Sequence, residues 1–256
     1  MTRTILPPVV APSPSKEEQL AALAKRYREA QGIGMQVVGL LGAQAEGLLD
    51  KLPEPARRGL DAATLKALEL SFSAASASRG TFPDTGQWLT RAVTLTTGAA
   101  GGFGGLSTAL AELPVTTTVI LRAIQGIADE YGFDPNDEDT RADCLRVFAA
   151  AGPVSTDHNV DLSFLTLRAT VTGATMQALL ATVAPKLAVT LGKKLALQTV
   201  PVLGAVTGAA INYAFTAYYQ EIAHVQFGLR KLAEESGFDL ATLIAEFESA
   251  VAVTKS

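Results

Sequence analysis

Charged side chains, cysteine, histidine and unbroken runs of large aliphatic residues are all scarce in this chain, and each scarcity removes a class of function. Charged residues make up 18% of the 256 positions and the net charge is -4. No basic cluster is longer than Arg57-Arg58 or Lys193-Lys194. Nucleic acid is therefore excluded as a partner, because its phosphates call for a concentrated basic face. The one cysteine, Cys144, excludes an intrachain disulfide and predicts a reducing, cytoplasmic compartment. The two histidines, His158 and His224, stand at no recognised ligand spacing from Cys144 or a carboxylate, so neither metal nor cofactor is predicted.

The familiar catalytic and nucleotide motifs also fail on inspection. Glycines gather at 98, 101, 102, 104 and 105, but Ser107 occupies the third glycine of a dinucleotide fingerprint and no strand precedes it. Gly192-Lys193 is followed by Lys194 where a P-loop needs Ser or Thr. In the acidic run from Asp134, Asp139 replaces the glycine of a calcium loop and Leu145 its final carboxylate, which leaves helix capping as the better account. No Gly-x-Ser-x-Gly turn is present to suggest a hydrolase.

What is plentiful is small and apolar. Hydrophobic residues reach 48% and mean hydropathy is +0.25, with alanine and glycine carrying much of it. The patterning predicts an all-α chain: a single bundle-like domain over 17–256 with long Ala/Gly-rich central helices, after a disordered tail over 1–16. Prolines at 7, 8, 12 and 14 interrupt the short apolar stretch of that tail and argue against a signal peptide.

Apolar residues at helical spacing predict helices over Glu17–Gln31 and Ala56–Ser76, with a more apolar segment over Gly34–Asp50 between them. A further helix is predicted to begin at Pro114, since proline suits the first helical position, and to stop at Gly132. Asp137, Glu138 and Asp139 should open the next, which ends before Gly152-Pro153. Phe164–Ala184 and Lys186–Thr199 read as two helices parted by Pro185. Pro201 should start a long helix reaching Ser236, and Leu240–Val253 forms the last. No run alternates like a strand.

The stretch from Leu195 to Gln220 contains no charge and exceeds the roughly 20 residues that cross a bilayer. Its Gln198, Pro201, Asn212 and many Ala and Gly residues favour a buried central helix over a lipid-exposed span, with reversible lipid contact as the alternative. Ala92 to Ala111 is also uncharged, and its glycines predict close helix packing. The polar residues that stand out against this background are Glu112, Arg122 and Asn212. Because an unpaired buried charge is costly, partners are expected, with Arg146 or Arg230 for Glu112.

Three segments resemble the EcsC family of bacterial proteins. They are Glu112-Leu113-Pro114-Val115-Thr116-Thr117-Thr118 with Ile120-Leu121-Arg122-Ala123-Ile124, Cys144-Leu145-Arg146-Val147-Phe148-Ala149, and the run from Pro201 to Phe215. Asp143 and Ala150 depart slightly from the family's glutamate and leucine. The resemblance carries no catalytic residues over. It implies a role linked to membranes, since the family is named from a gene cluster that also encodes ABC transporter components. The resulting expectation is a membrane-associated or lipid-binding helical protein, cytoplasmic and peripheral at the inner face of the membrane. The alternatives are a hydrolase with a pocket near Glu112 and Arg122, and a soluble scaffold that assembles with itself or with a protein partner.

Overall fold

Every segment that carries the architecture is helical in the computed structural model, which describes residues 14–41, 54, 64–66, 68–71, 74, 105–150, 165, 176–198 and 204–253; no strand occurs among them. The elements are α1 (Lys16–Leu41), α2 (Gly105–Glu130), α3 (Glu138–Phe148), α4 (Met176–Gln198), α5 (Gly204–Ser236) and α6 (Leu240–Val253). The glycines at 98, 101, 102 and 104, His158 and the region from Phe82 to Asp84 lie outside the described residues.

Helix boundaries follow local chemistry where a side chain can satisfy the free backbone groups. Ser15 Oγ accepts from Glu18 N (3.2 Å) while Glu18 Oε2 accepts from Ser15 N (2.8 Å), a reciprocal capping box that opens α1. Asp137 caps α3 by accepting from the backbone N–H of Asp139 and Thr140, as the acidic run predicted. Gly132 (φ 87°) and Gly237 (φ 70°) end α2 and α5 in the left-handed region that glycine enters without strain.

Two prolines depart from the local rule. Pro114 lies inside α2, which begins at Gly105, and Pro185 lies inside α4, which is one helix where two were expected. Around Pro185 the reason is positional. Proline and Ala181, the residue whose carbonyl loses its partner, are both exposed, so water can serve the orphan group. The flanking Val183, Ala184, Leu187 and Ala188 are buried and hold the helix on both sides of the break. Near Pro114, Ser71 Oγ (2.9 Å) and Thr118 Oγ1 (2.7 Å) both donate to its carbonyl.

α5 is the central element and packs against all five other helices, most extensively against α1. From Ile211 to Leu229 nearly every residue is buried, with Tyr213 (40% exposed) and the half-buried Glu221 departing. α1 comes close at Gly228, where a Cβ would stand 2.5 Å from Leu23 Cδ2. Of the uncharged stretch from Leu195 to Gln220, residues 195–198 belong to α4 and 204–220 to α5, and the part from 211 is mostly core. α1 also continues past Gln31 to Leu41.

Candidate functional site

Asp143 on α3 is fully buried, and two arginines converge on it. Arg146 Nη1, one turn later on the same helix, donates to Oδ1 at 2.9 Å, and Arg230 Nη1 on α5 donates to Oδ2 at 3.1 Å. Arg230 Nη1 also donates to Thr140 Oγ1 (3.1 Å) and its Nε to Glu234 (3.3 Å), while its guanidinium lies 4.0 Å above the Phe133 ring. With both carboxylate oxygens held by cations, Asp143 is poorly placed to take a proton from a substrate. Its physical effect is to fasten α3 to α5, since removing one partner of a buried pair leaves an uncompensated charge.

Of the five residues singled out by sequence, Arg146 and Arg230 meet at this node. Asn212 is fully buried on α5, eighteen residues before Arg230 and therefore about 27 Å away along the helix axis. Arg122 is half-buried on α2. Glu112 belongs to α2, but its side chain lies outside the described residues. Asp143, the centre of the node, was missed as a site residue. The available signal was an acid three residues before Arg146 on a helix otherwise lined by Cys144, Leu145, Val147 and Phe148.

A second polar feature runs along α5. Asn212, Thr216, Gln220 and His224 recur every fourth residue, which places them on one face, and all are buried. Thr216 Oγ1 donates to the Asn212 carbonyl (3.0 Å), and the His224 ring stands 5.8 Å from Tyr131, whose phenol is pushed up chiefly by burial. Beside this face Tyr219 packs on Phe148 (5.0 Å) and Tyr218 (5.3 Å). Its hydroxyl has no hydrogen-bond partner among the described residues, and burial pushes its pKa far above the ordinary value. Among the described residues no three His, Cys, Asp or Glu side chains gather as a metal site.

The third feature concerns how charge is distributed over the bundle. α1 and α5 are antiparallel, because Arg26 pairs with Glu221 (2.9 Å) while the earlier Leu23 meets the later Gly228. Every charge of α1 lies in Lys16–Glu29, and every charge of α5 lies from Glu221 onward. The antiparallel arrangement therefore brings both uncharged halves to the same end. α2 also packs against α5, and just past its end Tyr131 meets His224 and Phe133 meets Phe227. The carbonyl of its Pro114 is bonded to Ser71, on a segment that also carries the exposed Lys66–Glu69 ion pair (3.8 Å). α4 stops five residues before α5 begins, so its C-terminal end is held within about 20 Å of that end.

Among the described residues the exposed large apolar side chains are Leu70 (54%), Val115 (48%), Val189 (48%), Phe238 (48%) and Tyr213 (40%), of which Tyr213 lies on the charge-free half of α5. At the opposite end Phe238 is covered on one side by Lys16 Nζ, 4.6 Å from its ring centre, and Lys16 is itself paired with Glu246 at 2.7 Å. Exposed acids lie there: Asp134 and Asp137 between α2 and α3, Glu138 and Asp139 in the first turn of α3, and Glu234, Glu235 and Asp239 around the α5–α6 junction.

Comparison with protein-family models gives a match to the EcsC protein family over residues 61–232. That range takes in α2 to α4 and all but the last residues of α5, while α1 and α6 flank it. No curated protein and no solved structure matches the chain.

Proposed function

This chain belongs to the EcsC family, and from that premise we propose that it is a non-enzymatic helical protein that attaches to the cytoplasmic face of a membrane through the uncharged end of its bundle. The observation that carries the reading is the antiparallel pairing of α1 with α5, which gathers their charge-free halves at one end while exposed acids occupy the other. Placing charge in or near hydrocarbon is expensive, so of the two ends only the uncharged one can approach lipid at small cost. Attachment is to the surface: among the described residues no helix is long and apolar enough to cross a membrane. A membrane-embedded protein, such as the transporter components associated with the family's name, would meet the same end.

Liposome flotation tests the reading. The purified protein is expected to rise with vesicles, and recovery from neither neutral nor anionic vesicles would sink the proposal. Light scattering of lipid-free protein separates it from self-assembly through the same apolar residues, which would give a stable oligomer indifferent to lipid. A hydrolase reading gains nothing from the Asp143 node, whose carboxylate is already occupied by Arg146 and Arg230.

A further inference from the structure

Among the described helices, α4 alone contains no acidic residue. Its charges are Lys186, Lys193 and Lys194, in a chain whose 25 acids outnumber its 21 bases. The helix is strictly two-sided where its side chains are described. Leu179, Leu180, Val183, Ala184, Leu187 and Ala188 are buried against the bundle. The outward positions are Ala178, Ala181, Thr182, Pro185, Lys186 and Val189, all exposed. This face is narrow and low, because small residues keep the helix backbone close to whatever lies against it. It presents one large apolar side chain next to a cation.

We infer that this outward face of α4 is the contact surface and that its partner is an anionic lipid surface, an assignment that rests on the membrane-attachment reading above. Charge complementarity selects the occupant. A lysine-only helix is attracted to anionic headgroups, whereas the exposed acids of the α2–α3 turn and the α5–α6 junction are repelled by them. The two effects act in the same sense. Repulsion turns the acidic end away from the membrane, and attraction draws α4 and the uncharged end, with Tyr213, toward it. Val189 then enters the headgroup boundary beside Lys186, whose long alkyl stem lets its ammonium rise to phosphate level.

The test is flotation of the full chain with phosphatidylcholine vesicles and with vesicles of phosphatidylcholine mixed with phosphatidylglycerol. The wild-type protein is compared with a variant carrying Lys186→Glu, Lys193→Glu and Lys194→Glu. Wild type is expected to prefer the anionic vesicles, and the variant to lose that preference, with partitioning lower by at least about a hundredfold for three basic residues. Circular dichroism establishes that the variant is folded. Should it not fold, raising the salt concentration with wild-type protein gives the same readout, because screening removes the attraction. Equal wild-type binding to both vesicle types, or undiminished anionic binding by the folded variant, would overturn the α4 assignment and leave membrane attachment standing. Wild-type protein that floats with neither overturns both.

Discussion

The two ends of this bundle are built from the same helices yet are held together by different physics. At the acidic end, ordered polar contacts specify the structure: Asp143 fastens α3 to α5, Arg26 fastens α1 to α5, and Lys16 fastens α1 to α6. Along the charge-free half of α5 no ion pair occurs: Ile211 and Phe215 are buried beside the uncharged Asn212, Thr216 and Gln220, and Tyr213 is left in the open. Ion pairs impose register because they fail if a helix slides by one turn. Apolar contact is less directional and tolerates a change of neighbour. The difference teaches that the acidic end fixes the fold while the uncharged end is free to meet something else.

The strongest way to break this comparison is Asp143→Ala. Taking the shared carboxylate from the buried Arg146 and the half-buried Arg230 should lower the unfolding free energy by about 3 kcal/mol, read from the urea midpoint. A loss below about 1 kcal/mol would mean that the node does not hold α3 in place.

Alkaline titration comes next and addresses the boundary between the two regions. Burial raises the pKa of Tyr219 and Tyr131, so the folded chain holds protons that the unfolded chain releases above pH 10. These groups contribute nothing to the pH dependence below that value. Above it the unfolded state binds fewer protons, and stability should fall by about 1.4 kcal/mol per pH unit for each tyrosine. Tyr219→Phe should make that fall shallower and, since the hydroxyl is unpartnered among the described residues, leave neutral-pH stability unchanged or slightly higher.

Gly228→Ala sharpens the role of close packing between α1 and α5. Crowding of Leu23 should outweigh the gain in helix propensity and destabilise by about 1 kcal/mol. In a Leu23→Ala background the same substitution should become stabilising by a similar amount, and a chemical denaturation cycle reads the reversal. The smallest effect on stability is expected for Val189→Asp, within about 0.5 kcal/mol because the side chain is half exposed. The same change should nevertheless weaken vesicle binding, and that separation of binding from stability is what distinguishes the two regions.

Much of the fold was legible because helix starts and stops are local. The Asp137 cap, the glycine stops at 132 and 237, and the last helix at Leu240–Val253 each depend on a few neighbouring residues. The prolines misled for the same reason. Position within a helix is judged locally from sequence, whereas Pro185 is tolerated because its orphan carbonyl faces solvent and its flanks are packed. The candidate site was half legible. Arg146 and Arg230 were named only as partners for Glu112, and Asp143, which both of them bind, only as a departure from the family's glutamate.

By itself the amino-acid order determined the helical class, the capping chemistry, the family and the fact that charge is unevenly spread along individual helices, since all of these are properties of neighbouring residues. Only the tertiary structure decided that the uneven halves coincide. Whether two helices run parallel or antiparallel is set by contacts between distant positions, here Arg26 with Glu221 and Leu23 with Gly228. Reversing that one relation would have set the charged half of each helix beside the uncharged half of the other.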